Sequence, residues 1–231
     1  MEFHEWEPVY ERIIADFGFD RAADERARDL LAATVGTDTV DLDRFDVAGR
    51  TVAIAGAGPS LTRDLDSALD ADRVFAASTA ADTLREVGLP VDCMVTDLDK
   101  NPDTARTLTS AGVPVAVHAH GDNLSEIRTV VPVLDPEAIV PTTQAAPVEG
   151  TWNFGGFTDG DRAAFMADHL GAGELVFPGW DFDDPDVGRA KARKLEWAER
   201  LLYWLEGRRG DSFDLLDGRR ADVETTALPV D

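Results

Sequence analysis

From residue 50 onwards, short apolar runs alternate with longer stretches of helical hydrophobic spacing. The runs predict strands at 51–55, 73–77, 92–96, 114–118, 138–142 and 174–178. Helices are predicted at 60–69, 80–87, 102–110, 123–130, 160–170 and 188–205. Strands joined through helices need crossover connections, so the pattern predicts an α/β fold with a mainly parallel sheet covered by helices on both faces.

The first part of the chain has a different pattern. Apolar residues such as Trp6, Tyr10 and Ile13 recur at helical spacing over residues 5–35, with an interruption at Gly18. We therefore divide the chain into an N-terminal helical segment with a polar connector (1–49), an α/β catalytic domain (50–216) and a polar C-terminal tail (217–231) that we expect to be flexible.

The excess of acidic over basic side chains is the most informative feature of the composition. The 231 residues include 45 acidic and 22 basic side chains, which gives a formal net charge of −23. So many like charges repel one another in the folded state, and concentrated salt screens this repulsion. We therefore expect a protein adapted to a salt-rich cytoplasm, as in a halophilic archaeon. The absence of a basic stripe argues against nucleic acid and an anionic membrane surface as partners. An acidic N-terminus and the lack of a long apolar run predict a cytoplasmic protein without a signal peptide or membrane span.

Two aspartates close the third predicted strand. Asp97 and Asp99 are two positions apart, so their carboxylates point the same way wherever strand geometry persists. Neighbouring carboxylates repel unless a cation lies between them, and Mg²⁺ takes one or two carboxylates together with water and phosphate oxygens. The pair is predicted to bind Mg²⁺. The alternative is a polar loop with two solvated acids.

The loop after the fourth predicted strand carries a second polar group. His120 is expected to contact phosphate or substrate, and Asp122 is a candidate additional metal ligand. Asn123 is predicted to contact the nucleotide or to cap the next helix. His118 and His120 together could also bind zinc or iron, but a third ligand for such a site is not evident.

Glycines follow the first predicted strand. Gly56 and Gly58 permit a tight turn and close approach of a ligand, and Ser60 is a candidate N-cap and ligand contact. Leu61 occupies the position at which a dinucleotide-binding fingerprint has Gly or Ala, and no P-loop lysine follows. The pattern therefore predicts a phosphate or nucleotide turn of another kind.

A glycine-rich loop also opens the helix predicted at 160–170. The free N–H groups at this helix start are suited to an anion, and Arg162 could bind a phosphate in two-pronged fashion. Asp159 and Asp161 are candidates for nucleotide or metal contacts. Either acid could instead cap the helix, with Arg162 in a surface ion pair.

The segment after the sixth predicted strand contributes further candidates. Trp180 could stack on a flat heterocycle or serve packing, and Asp181 is a candidate ligand contact. Lys191 and Lys194 share one face of the last helix, in a chain whose only other lysine is Lys100. They are predicted to face either the phosphates or the solvent.

Together these motifs resemble the archaeal 6-hydroxymethyl-7,8-dihydropterin pyrophosphokinase (MptE-like) family. The matching pieces are GAGPSL at 56–61, TDLD at 96–99, HAHGDN at 118–123 and GFTDGDRA at 156–163, and the resemblance covers about residues 1–210. It implies a fold similar to the catalytic domain of thiamin pyrophosphokinase. Lys100 departs from the small residue expected after TDLD and puts the loop geometry in question.

The resemblance implies transfer of the terminal diphosphate of ATP to the hydroxymethyl oxygen of a reduced pterin, with release of AMP, in tetrahydrofolate or methanopterin biosynthesis. Asp97 and Asp99 would hold one or two Mg²⁺ ions, with help from Asp122, Asp159 or Asp161. Arg162 and His120 would clamp the diphosphate. Asp181 or Asn153 would bind the pterin edge.

The residues leave two other functions open. Metal ions held by an Asp-x-Asp pair also serve transferases that use nucleotide sugars, and a nucleotide-binding module without chemistry would need similar loops. On each of these alternatives the partners are small molecules, and a homo-oligomer is compatible with the sequence.

Overall fold

The computed structural model of the chain describes residues 1–36 and 40–229. A six-stranded sheet forms its centre, with the strands β1 Thr51–Ala55, β2 Arg73–Ala77, β3 Cys93–Thr96, β4 Val115–Ala119, β5 Ile139–Thr143 and β6 Glu174–Val176. The order across the sheet is β5-β4-β3-β2-β1-β6, and all neighbouring strands are parallel. The predicted α/β fold with a parallel sheet is confirmed.

The helices of the described residues are α1 Phe3–Phe17, α2 Arg21–Val35, α3 Leu65–Asp70, α4 Ala80–Glu86, α5 Pro102–Ser110, α6 Leu124–Thr129, α7 Asp159–His169 and α8 Arg189–Arg209. The predicted helix start at residue 60 is wrong, because residues 60–64 form turns and α3 begins at Leu65. Tertiary contacts hold these turns: the backbone N–H of Ser60 donates to Asp181 at 2.8 Å, and Asp64 accepts from Gly179 at 3.1 Å.

Side chains of the strands alternate between two apolar cores. In β1, Val52 and Ile54 pack in the core that includes residues of α1, α7 and α8, whereas Ala53 and Ala55 pack in the core that includes residues of α2 to α6. The alternation is the one expected of extended backbone, and both faces of the sheet are covered because its strands are buried on each side. The N-terminal helices thus contribute one to each face.

The chain ends contact this central unit. In the predicted tail, Leu228 is 8% exposed and Arg220 Nε lies 2.8 Å from Glu206 Oε1 on α8. The predicted domain limits and the flexibility of the tail stay predictions, and residues 37–39 of the connector and 230–231 of the tail lie outside the described residues. None of the helices in the described ranges has the length and apolar character needed to cross a membrane.

Candidate functional site

A cavity of about 470 Å³ lies over the carboxyl ends of the six strands. Its lining includes a residue from the loop after each strand, in the order Gly56, Ser78, Asp97, His120, Gln144 and Trp180. Open parallel sheets bind ligands at this edge, because the loops and their free polar groups converge there. The structure therefore brings together the polar strand ends that the sequence analysis singled out.

The acid pair, Asp97 and Asp99, is brought together by a turn after β3 and not by the side-chain alternation of a strand. β3 ends at Thr96, and Leu98 has a φ of 68°, in the left-handed region. Leu98 N–H donates to Thr96 Oγ1 at 2.9 Å, and Asp99 N–H donates to Asp97 Oδ1 at 3.2 Å. A leucine in this conformation is strained, and its burial at 2% exposure holds it there. The expectation of strand geometry at 97–99 is corrected, while both carboxylates still reach the cavity.

The two carboxylates and Asp159 perturb one another. Burial and a hydrogen bond with Asp97 raise the pKa of Asp99 to about 6. Burial opposes ionisation of Asp97, but hydrogen bonds from His120 and Asp99 lower its pKa well below the usual range. Burial and the nearby charge of Asp97 raise the pKa of Asp159 to about 7. Without a cation, Asp159 therefore holds a proton up to about neutral pH and Asp99 up to slightly acidic pH, whereas Asp97 is ionised.

This chemistry fits Mg²⁺. A divalent cation between Asp97 and Asp99 would replace the shared proton and relieve the repulsion. Among the residues that the structure describes, no group of three His, Cys, Asp or Glu side chains is arranged to hold a metal ion. Asp122 lines the cavity but is exposed, and it does not join the pair in a three-ligand set. Two carboxylates completed by water and phosphate oxygens are typical of Mg²⁺ and not of zinc.

His120 and Asn123 hold the acid loop in place. The backbone N–H of Asp122 points at His120 Nδ1 at 3.4 Å, so Nε2 carries the proton and donates to Asp97 Oδ2 at 3.3 Å. Asn123 is 2% exposed, and its amide donates to the carbonyls of His118 and Asp97 at 2.7 and 3.0 Å. Asn123 lies outside the cavity lining and connects the loops after β3 and β4.

Arg162 and the two aspartates of the glycine-rich loop have distinct environments. Arg162 lines the cavity, and its Nη1 lies 3.3 Å from Asp159 Oδ1. Asp161 is fully buried and accepts from the N–H groups of Phe157 and Thr158. It therefore caps α7, as one alternative held, and lies outside the cavity lining together with Ser60.

The glycines after β1 are required by a second loop. A Cβ at Gly58 would lie 2.4 Å from Asp181 Oδ2 and 2.7 Å from Gly179 O. The N–H of Gly58 donates to Gly179 O at 2.9 Å. The loops after β1 and β6 are thus in direct backbone contact, so the glycines serve this packing as well as the cavity.

Trp180 is also held by packing. Its Nε1–H donates to Ile54 O at 2.8 Å, and a Cβ at Gly160 would lie 2.7 Å from its ring. The indole lines the cavity with one edge against α7. Stacking of Trp180 on a ligand stays a prediction.

The N-terminal helices reach the site through a buried carboxylate that the sequence analysis missed. Asp24 on α2 is 2% exposed and accepts from Tyr10 Oη at 2.7 Å, Gln144 Nε2 at 2.8 Å and Gly121 N at 2.8 Å. Gln144 Oε1 in turn accepts from Arg162 Nη2 at 3.1 Å. Burial, followed by the hydrogen bond to Asp24, raises the pKa of Tyr10. This network orients the arginine.

Buried polar atoms without a hydrogen-bond partner among the described residues include three at or beside the site: Ser78 Oγ, His118 Nε2 and Arg162 Nε. The hydroxyl of Ser78, whose φ is 47°, is buried in a residue that lines the cavity, and His118 Nε2 is buried near the end of β4. Burial and the charge of Arg162 lower the pKa of His118, which favours the neutral ring. Its Nδ1 lies 3.0 Å from Thr142 Oγ1.

Comparison with known proteins gives a consistent result. The family model described as "6-hydroxymethylpterin diphosphokinase MptE-like" matches residues 29–187. A protein of Methanothermobacter thermautotrophicus named 6-hydroxymethyl-7,8-dihydropterin pyrophosphokinase is 42% identical over 91% of this chain and 97% of its own length. Proteins with the same name from Pyrococcus furiosus and Methanocaldococcus jannaschii are 35% and 31% identical, each over 89% of this chain and 95% and 96% of their own lengths.

Proposed function

The chain belongs to the MptE-like family described as 6-hydroxymethylpterin diphosphokinase, and from this premise we propose that it transfers diphosphate from ATP to 6-hydroxymethyl-7,8-dihydropterin and releases AMP. The observation that carries the proposal is the contact between Asp97 and Asp99 in a cavity over the strand ends, with Arg162 in the same lining. The product would enter a tetrahydrofolate or methanopterin route.

Asp97 and Asp99 would hold Mg²⁺, which when bound offsets the charge of the phosphate oxygens. The chain's own residues set the rest of the environment. His120 keeps Asp97 oriented through its Nε2–H, and the Asp24–Gln144 pair presents Arg162 to the cavity. Arg162 has a buried Nε–H without a partner in the described residues and a guanidinium suited to phosphate oxygens.

The proposed reaction is a displacement at the β-phosphorus. The hydroxymethyl oxygen forms a bond to the β-phosphorus while the bond between the β-phosphorus and the α,β-bridging oxygen breaks. AMP leaves with the bridging oxygen. The hydroxyl proton passes to a base. Asp159 is our candidate, because burial and Asp97 raise its pKa to about 7, near the pH at which proton transfer is most efficient.

The test is incubation of the purified protein with ATP, Mg²⁺ and the dihydropterin alcohol, followed by chromatography of nucleotides and pterins. AMP and a pterin diphosphate in equal amounts are expected. ADP with a pterin monophosphate would contradict diphosphate transfer. Transfer from a nucleotide sugar would support the sugar transferase, and binding without turnover would support the binding module.

A matched pair of variants connects the activity to the acid pair. Asp97→Asn removes a charge in the cavity, whereas Asp103→Asn makes the same chemical change at a side chain on α5 that is 93% exposed. We expect turnover to be lost only in the first variant. Equal turnover in both would contradict the role of Asp97.

A further inference from the structure

All three lysines of the chain lie at one place. Lys100 follows the acid pair, Lys191 and Lys194 lie three positions apart on α8, and each of them lines the cavity. Residues three apart on a helix share a face, so the two α8 lysines are presented together. The lysines therefore approach the cavity from two elements, the loop after β3 and the start of α8.

The arginines are distributed differently. The other nineteen of the 22 basic side chains are arginines, and only Arg162 among them lines this cavity. Many arginines form ion pairs with carboxylates elsewhere, as Arg209 does with Asp168 at 2.7 Å. Within residues 1–36 and 40–229, by contrast, no ion pair involves a lysine, although acidic side chains outnumber basic ones about two to one in the chain.

The three lysines also influence one another. Lys191 is an exposed residue at the mouth of the cavity, and desolvation by the surrounding protein atoms, followed by the positive charges of Lys100 and Lys194, lowers its pKa. All three lysines line the cavity that also contains Asp97, Asp99 and Asp159, so they place positive charge beside a strongly acidic site.

We propose that Lys100, Lys191 and Lys194 bind the triphosphate of the nucleotide in the cavity that they line together with the acid pair. Asp97, Asp99 and Asp159 would repel a polyanion, and a single divalent cation does not offset three carboxylates and a triphosphate. Flexible ammonium groups on a four-carbon stem suit phosphate oxygens whose positions change as the diphosphate is transferred. This inference rests on the proposed function for the identity of the polyanion as a nucleoside triphosphate.

The experiment compares single Lys→Met variants at 100, 191 and 194 with Arg189→Met. Arg189 is the first residue of α8, is exposed and lies outside the cavity lining, so its replacement removes the same charge from the same helix. Calorimetry at one fixed KCl concentration measures binding of α,β-methylene-ATP with Mg²⁺ and, separately, of adenosine. Thermal melting checks the fold.

We expect each lysine variant to bind the triphosphate analogue about tenfold or more weakly, the value for one lost charge-assisted hydrogen bond, with adenosine binding and the melting temperature unchanged. Arg189→Met should bind within twofold of the wild type, and Lys191→Arg should recover most of the loss. Equal affinities in all variants, or equal losses for adenosine, would overturn the proposal.

The same set of proteins separates this inference from the proposed function. A wild-type protein that makes the pterin diphosphate, with lysine variants that bind and turn over normally, would refute the lysine site alone. A wild-type protein that binds the analogue through the lysines without producing pterin diphosphate would support the lysine site and refute the proposed reaction. Failure of the wild type to bind the analogue would overturn the lysine site.

Discussion

Replacement of Asp24 by alanine tests how far the site depends on the N-terminal helices. The buried carboxylate accepts hydrogen bonds from Tyr10, Gln144 and Gly121, at 2.7 to 2.8 Å. Alanine leaves these three donors without their acceptor. A hydrogen bond to a charged group contributes about 1.5–3 kcal/mol, and Gly121 at the cavity wall can be rehydrated, so we expect a loss of about 3–4 kcal/mol in the free energy of unfolding.

The corresponding change in melting temperature is large enough to measure. For a chain of this size, 1 kcal/mol corresponds to a shift of about 2–4 °C, so Asp24→Ala should melt roughly 6–16 °C below the wild type. The matched control is Asp29→Ala, which removes the same carboxylate from the same helix, where the side chain is 62% exposed. Its effect should remain within about 0.5 kcal/mol.

The isosteric variant Asp24→Asn separates stability from activity. An amide keeps the shape but directs its NH₂ at one of the former donors, so Gln144 loses its fixed orientation and no longer presents its Oε1 to Arg162. We expect turnover by the folded variant to fall about tenfold. Equal melting temperatures for Asp24→Ala and Asp29→Ala, measured by circular dichroism in one KCl buffer, would refute the reasoning.

Three further predictions concern the acids and the charge of the whole chain. Asp97→Ala should lower turnover about a thousandfold while the protein stays folded, because the lost hydrogen bond from His120 is offset by the removal of repulsion with Asp99 and Asp159; a wild-type rate would contradict this. The raised pKa values of Asp99 (about 6) and Asp159 (about 7) stabilise the metal-free fold at low pH, and this stabilisation is lost as pH rises through these values. Mg²⁺ should therefore bind more tightly at about pH 7.5 than at about pH 5.5 and release protons on binding, which calorimetry in two buffers measures. An Mg²⁺ affinity that does not depend on pH would contradict this prediction. The net charge of −23 predicts that the melting temperature rises steeply with KCl, and a melting temperature that does not depend on KCl would count against salt adaptation.

The parallel sheet was predictable because its signals are local. Each strand is a short apolar run bounded by polar residues, and the predicted limits differ from the observed ones by at most two residues. The acid pair was recognisable for the same reason, since Asp97 and Asp99 directly follow such a run. The left-handed Leu98 between them was not, because no residue type in that position indicates a positive φ.

Tertiary contacts explain what could not be predicted. Asp24 has the sequence setting of a solvated acid on an amphipathic helix, and only the packing of α2 against β4 and β5 buries it beside Gln144. Residues 60–64 have helical spacing, but hydrogen bonds with the loop after β6 hold them as turns. The exceptional placement of the lysines required the cavity to be known, although their scarcity was visible in the composition.

The most direct test of the account is a calorimetric titration of Mg²⁺ into the protein saturated with α,β-methylene-ATP, for the wild type and for Asp97→Ala. The account predicts saturable Mg²⁺ binding to the wild type and an Mg²⁺ affinity at least about 100-fold lower in the variant. Removal of a group that only supports a metal ligand lowers metal affinity by about 10–100-fold, and removal of the ligand itself should lower it further. Equal Mg²⁺ affinity in the two proteins would contradict the assignment of the metal to the acid pair that follows β3.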